Sequence, residues 1–321
     1  MAQFTWSSSQ PSTGAAKNSK VSKEVVRGSY AQCIFLPHVV EEPLAMHGGQ
    51  SSTIMRSSQL TERTVASISE SDRMPEGTNS ITAKLITVGE HGFSVPYTDY
   101  AASLATYDLP NELKMLLQDD LTKYLDNFIA NEFKRSLYIY TPTGAASAST
   151  ATNGTAPAAA GSAMNVYHLE RLRSILHTTL KAKPVDGSNY VGIFHDDSCL
   201  AIRRDPSWEI WHQNVTPENK FNGETGTIEN IRILSSNHGG TAVGSDGLNG
   251  GSTLGEGVVF GDNACKFVKV MAPQVVYAKA EDYDRLLGVG WRSIMGIGLT
   301  WSQDSANAGE SNVVFVSATS L

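Results

Sequence analysis

The chain has 321 residues and a mass of 34.5 kDa, with 40% apolar and 18% charged residues, enough to bury a sizeable core in one large domain or two ordinary ones. A formal net charge of −7 and a pI near 5.6 exclude an overall field that draws the protein to nucleic acid or an anionic membrane, so any such contact has to be local. Three scattered cysteines, Cys33, Cys199 and Cys265, with no C-x-x-C pair, exclude a disulfide framework and a thiolate metal site and suit a reducing compartment.

Residues 1–30 are rich in Ser, Thr and Gln and lack apolar periodicity. The opening MAQFTWSSSQPSTG has no charged-then-apolar leader pattern. The most apolar stretch, LLGVGWRSIMGIGLTW, is broken by Arg292 and too short to span a bilayer, so the expectation is a protein made and kept in solution. Lys17, Lys20, Lys23 and Arg27 recur every three or four residues, with Glu24 the only acid among them. Two readings of this segment stand: a solvated flexible arm, or a basic arm that docks on a neighbouring subunit or on a polyanion.

From 56 to 100 the pattern changes to strand-like runs, RTVASIS, SITAKLITV and FSVPY, separated by the turn signals MPEGTN and GEHG. In SITAKLITV the residues Ile81, Ala83 and Leu85 fall on one face and Lys84, Ile86 and Val88 on the other. An isolated two-stranded ribbon is marginal in water, so this hairpin is expected to lie on something else, its own subunit or another chain. Next, Leu113, Leu116, Leu117, Leu121, Tyr124, Leu125, Phe128, Ile129, Phe133 and Leu137 keep the spacing of one helical face over 108–140. Asp108 and Pro110 mark the start of that helix, and roughly 30 residues make a rod about 45 Å long.

The segment 143–163 has no charge and no large apolar side chain and predicts a flexible surface loop. A second amphipathic helix is predicted over 165–184, with Asn165 as its cap and Leu169, Leu172, Ile175, Leu176 and Leu180 as its stripe. The glycine-rich 237–263 predicts another exposed loop. VVFGDNACKFVKV, PQVVYA and the tail NVVFVSA read as buried strands.

The densest polar cluster is NYVGIFHDDSCLAIRRDPSW, 189–208. Its spacing predicts a buried strand, a turn at His195–Ser198 and a short helix, with Asp196 and Asp197 at the amino end and Arg203 and Arg204 at the carboxyl end of the helix dipole. Asp205-Pro206 then ends it. Adjacent His195, Asp196 and Asp197 diverge rather than converge on a metal, and Ser198 and Cys199 lack a G-x-S-x-G elbow. GEGVVFG at 255–261 departs from the dinucleotide fingerprint at Phe260, and none of the eight histidines forms H-x-x-x-H. Trp208 and Trp211 are expected to pack one side of the fold.

The order of elements, with MPEGTNSITAKLITVGEHGFSVPYTDYA followed by the long helix, then NYVGIFHDDSCLAIRRDPSW, GETGTIENIRILSSN and DYDRLLGVGWRSIMG, resembles the major capsid proteins of tailed bacteriophages. These share the Johnson or HK ninety-seven fold, and the likeness is greatest to the phage N-four coat protein type. The resemblance implies an α+β capsid fold: an N-terminal arm at 1–50, an extended β-hairpin loop at 51–100, a peripheral domain with the spine helix at 101–164 and again at 263–321, and an axial domain at 165–262. It also implies a non-catalytic shell protein that assembles with itself into hexamers and pentamers. Scaffolding, portal and decoration proteins and packaged double-stranded DNA would be its further partners. No cofactor, metal or membrane is expected, and the location would be the virion, after synthesis in the host cytoplasm. Subunit contacts would involve Lys17, Lys20, Lys23, Arg27, Arg63, Glu76 and Lys84. The alternatives are a cellular nanocompartment shell of the same fold and an enzyme with its site at His195–Ser198.

Overall fold

The structure is a computed structural model that describes residues 33–45, 49–57, 67, 81–144, 149–153, 162–208, 224–236, 255–279, 282–301 and 311–319. The arm at 1–30, most of RTVASIS, the MPEGTN turn, Trp211 and the glycine-rich 237–254 lie outside the described residues.

Three sheets hold the described strands. A four-stranded sheet runs β1 (Val40–Pro43), β11 (Cys265–Tyr277), β12 (Leu286–Leu299), β4 (Gly89–Thr98). A seven-stranded sheet runs β6 (Ser149–Asn153), β5 (Tyr138–Pro142), β13 (Val313–Val316), β10 (Gly257–Phe260), β7 (Tyr190–His195), β9 (Ile231–Ser236), β8 (Glu224–Ile228). The third is a ribbon of β2 (Ser51–Ser57) and β3 (Ile81–Thr87). The helices include α1 (Asp99–Leu104), α2 (Leu109–Lys134), α3 (Val166–Ser174), which continues into a π-helical turn at Ile175–Thr179, and α4 (Asp196–Arg203), beside a 3-10 turn at Leu36–His38 and helical residues at 206–208. No helix among the described residues is long and apolar enough to cross a membrane.

Helix α2 is the spine and joins the two large sheets. Asp108 caps it by accepting the Asn111 N–H at 3.3 Å, and its 26 residues make a rod about 39 Å long. Its first half lays Leu109, Leu113 and Leu117 against Tyr97, Val289 and Trp291 of the four-stranded sheet. Its second half lays Ile129 and Phe133 into a core with Phe260, Val313 and Phe315 of the seven-stranded sheet and Met295 and Leu299 of β12. The opposite face of the seven-stranded sheet is covered by α3 and α4, whose Leu169, Leu172, Cys199 and Ile202 pack on Tyr140, Phe194, Val259 and Val314.

Four expectations change. The spine ends at Lys134 rather than 140, because YIYTP is a fully buried strand and Ser136 turns the chain by donating to the Val313 carbonyl at 2.7 Å. The small-residue segment after it is not all loop: β6 pairs with β5 from Tyr138 opposite Asn153 to Pro142 opposite Ser149, so backbone ladder bonds hold what side chains do not. VVFGDNACKFVKV divides between β10, which takes VVF, and the 13-residue β11, which begins at Cys265 and runs on through PQVVY, its register shifting around Pro273, a residue without an N–H that a bulge tolerates. The final strand β13 lies between β5 and β10 in the seven-stranded sheet, away from the other late strands β11 and β12. One long strand, β12, went unread; it is the inner strand on which β11 and β4 both pair.

Candidate subunit-contact surface

The ribbon β2–β3 is antiparallel, from Ser51 opposite Thr87 to Ser57 opposite Ile81. Side chains alternate across a strand, so one face carries Ser52, Ile54, Arg56, Thr82, Lys84 and Ile86 and the other Thr53, Met55, Ile81, Ala83 and Leu85. The first face is the covered one. Ile54 and Ile86 form a small core with Val88 and Val268, flanked by Leu44, Val270 and Ile294. The second face presents Met55, Ile81 and Leu85 to solvent at 72%, 66% and 57% exposure. Three large apolar side chains side by side on a thin ribbon form an apolar surface with no partner among the described residues.

Glycine makes the covered contact possible. A Cβ on Gly296 of β12 would come within 2.5 Å of the Thr87 carbonyl oxygen, and one on Gly298 within 2.8 Å of the Ile86 side chain. Arg56 donates to the Thr300 carbonyl at 3.2 Å and ties the ribbon's first strand to the end of β12. Lys84 is half-buried on this inner face. Burial pulls its ammonium below the usual lysine range, the Arg56 and Arg135 charges push the same way, and the Glu132 carboxylate of the spine opposes them. Glu132 is itself buried and pairs with Arg135 at 3.1 Å.

A second junction lies at the root of the arm. The buried Asp126 of the spine accepts the Ile34 and Phe35 N–H groups at 3.0 and 2.8 Å and the Cys33 thiol at 3.4 Å. Burial and the Asp126 carboxylate push the Cys33 pKa up to about 12, which favours the protonated thiol at neutral pH. Midway along the spine, Tyr124 shares a 2.6 Å hydrogen bond with His91 of β4, and Trp291 donates to Asp120 at 3.1 Å. β4, which continues from the ribbon, and its neighbour β12 are therefore each tied to the spine.

No protein-family model matches the chain, and no curated protein does. Solved structures do match. The head of Helicobacter pylori bacteriophage KHP40 superposes with a TM-score of 0.67 over 95% of this chain and 95% of that chain, at 14% identity. The capsid of Ralstonia phage GP4 gives 0.66 over 97% of each chain at 13% identity, and the cyanophage Pam1 capsid 0.65 over 99% of this chain and 100% of that one at 14% identity. The fold is that of tailed-phage capsid proteins.

Within the capsid fold, the polar cluster at 195–205 is occupied with local structure. His195 is the cap of α4: its Nδ1 accepts the Asp197 N–H at 3.3 Å, so the helix begins earlier than the predicted turn at His195–Ser198 allows. Asp196 and Asp197 lie in the first turn and Arg203 in the last, as the dipole reading expects. Ser198 is buried and donates to the Gly255 carbonyl at 2.8 Å, and Asp196 accepts from Ser235. Asp205 does more than end α4. Its Oδ2 accepts the Val166 N–H at 3.1 Å, which satisfies the first turn of α3 across 39 residues of sequence. Among the described residues, no three His, Cys, Asp or Glu side chains gather as metal ligands.

Of the predicted contact residues, Lys17, Lys20, Lys23, Arg27, Arg63 and Glu76 lie outside the described residues, and Lys84 sits on the ribbon's covered face. Asp126 and the alternate glycines of GVGWRSIMGIG escaped the sequence reading. A lone Asp beside an apolar stripe, and the paired glycines 288/290 and 296/298 of a strand-like run, were the available signals.

Proposed function

We propose that this protein is a major capsid protein, whose copies close into an icosahedral shell around a double-stranded DNA genome and whose work is mechanical. The observation that carries this reading is the extent of the likeness: the capsid fold covers 95–99% of this chain and 95–100% of the phage chains it was compared with above, so the whole architecture and not one module is shared. The exposed apolar face of Met55, Ile81 and Leu85 supports it, since a solitary subunit gains nothing from that face and a neighbouring copy covers it.

In this reading the arm at 1–50 and the loop at 51–100 reach neighbouring subunits, with Lys17, Lys20, Lys23, Arg27, Arg63 and Glu76 at the contacts and Lys84 setting the posture of the ribbon from beneath. The peripheral domain is 101–164 with 263–321, and the axial domain is 165–262, its sheet extended by β5, β6 and β13. Hexamers and pentamers of the chain form the shell in the host cell, with scaffolding, portal and decoration proteins as further partners and DNA on the inner face.

Gradient sedimentation and negative-stain microscopy of the purified protein, expressed alone and with its genomic neighbours, test this. Closed shells of uniform diameter are expected, and subunits that stay monomeric under every assembly condition overturn the reading. Nuclease-protected DNA inside particles from infected cells separates a virion from a cellular compartment, whose shells enclose protein instead.

A further inference from the structure

We propose that the seat of the ribbon is an anion site: Arg56 and Lys84 on the covered face of β2–β3, with the Thr300 hydroxyl at the end of β12, take a small oxyanion of the phosphate class that locks the ribbon down. The observation behind it is a surplus of donors and of positive charge in one place. Arg56 donates through Nη1 to the Thr300 carbonyl at 3.2 Å, yet its Nε is buried and has no acceptor among the described residues. Thr300 is 4% exposed, and both its backbone groups are engaged: the N–H donates to the Ala264 carbonyl at 3.0 Å and the carbonyl accepts from Arg56. Its hydroxyl is buried and has no partner among the described residues. A buried polar group without a partner carries its full desolvation cost, and here two of them sit on residues already bonded to each other.

The charge balance points the same way. Arg56 lies opposite Thr82 and Lys84 opposite Ile54, so the two cations are diagonal neighbours on one face of the ribbon, about 7–8 Å apart. The spine adds Arg135 and the buried Glu132, and the charges of Arg56, Arg135 and Glu132 all act on the Lys84 ammonium. Three bases thus stand against one acid, and that acid pairs with Arg135 at 3.1 Å. Glu42, near the other end of the same face, is held by Ser52 at 3.2 Å and by Lys266 at 2.8 Å.

The unanswered groups are donors and cations, which selects an anion with several acceptor oxygens. A guanidinium edge and a hydroxyl match a phosphate-class ion, whose charge also offsets the repulsion between Arg56 and Lys84. Because the donors come from β2 and from the end of β12, the site is whole only while the ribbon is seated. An anion that binds the seated ribbon alone stabilises that posture by mass action.

The test is amide exchange at 51–57 and 81–88 in the full-length chain, in inorganic phosphate and in chloride at equal ionic strength. At phosphate about ten times its Kd, exchange through opening of the ribbon is expected to slow about tenfold, with 190–195 unchanged. Thr300→Val keeps the carbonyl that Arg56 uses and replaces an unpartnered hydroxyl by a methyl group, so it is expected to keep the ribbon's protection in chloride and to lose most of the phosphate response. Arg56→Lys, which keeps the charge and removes Nε, is expected to lose that response as well. Exchange that ignores phosphate, or a response that both variants retain, overturns the site. So does ribbon opening in phosphate-free buffer on Asp304→Asn or Glu62→Gln, since the acceptor is then a carboxylate of the chain itself, four residues after Thr300 or six after Arg56.

Discussion

The Asp126 carboxylate, in the middle of the spine, accepts the Phe35 backbone N–H at 2.8 Å across 91 residues of sequence. The same oxygen takes the Ile34 N–H, so one buried acid fixes the point from which the arm departs. Asp126→Ala leaves two backbone N–H groups and the Cys33 thiol without their acceptor and is expected to lower unfolding free energy by about 2–4 kcal/mol, whereas Asp126→Asn, which keeps an acceptor oxygen, loses less. Urea unfolding of both variants measures the difference; equal losses would show that acceptor geometry is not the cause.

The outer face of the ribbon separates folding from assembly. Leu85→Ser removes an apolar group that is already in water, so subunit stability is expected to stay within about 0.5 kcal/mol of wild type. Particle yield falls, because the face loses the area a neighbour covers. Melting temperature and sedimentation on the same preparation check both halves.

Gly296 tests the ribbon's seat. A Cβ there meets the Thr87 carbonyl at 2.5 Å, backbone that has no rotamer to give. Gly296→Val is expected to lift the ribbon off β12 without unfolding the spine, seen as faster amide exchange confined to 51–57 and 81–88.

Burial lowers the His168 pKa from 6.5 to about 4, and its Nδ1 shares a 2.8 Å hydrogen bond with the Tyr140 hydroxyl. A histidine depressed in the folded state binds its proton more readily when unfolded. The stability it contributes is therefore fully present above pH 6.5, is lost as pH falls from 6.5 to about 4, and falls no further below that; the total is about 3 kcal/mol. His168→Gln flattens the pH dependence of urea unfolding in that window; an unchanged slope would sink the assignment.

Asp205→Ala is expected to cost about 1 kcal/mol, through α3 and the turn at Ser207 rather than through α4, because the lost acceptor is the partner of the Val166 and Ser207 N–H groups. Helix-specific amide exchange at 166–169 reads where the loss falls.

Periodicity and capping are local, and what they encode was legible. The spine's start at Asp108, the Asn165 cap, the dipole-matched charges of α4 and the two faces of SITAKLITV follow from neighbours within a few residues. The spine's end was not legible, because the apolar stripe runs on through Leu137 into YIYTP, and a buried strand and a buried helix share that alphabet. Nor was the strand identity of GVGWRSIMGIG, whose Gly296 and Gly298 serve the close approach of a ribbon more than two hundred residues earlier.

The candidate surface divides the same way. Alternation alone sorts Ile81, Ala83 and Leu85 from Lys84 and Ile86, but cannot say which set is covered. Packing on β12 decides that, and it turns Lys84 inward toward Glu132 and leaves Leu85 outside. Asp205 illustrates the limit most directly. Its place before Pro206 marks a helix end in one dimension, while its service to the first turn of α3 exists only once the chain has folded, since a hydrogen bond between residues 39 apart is encoded in no local pattern.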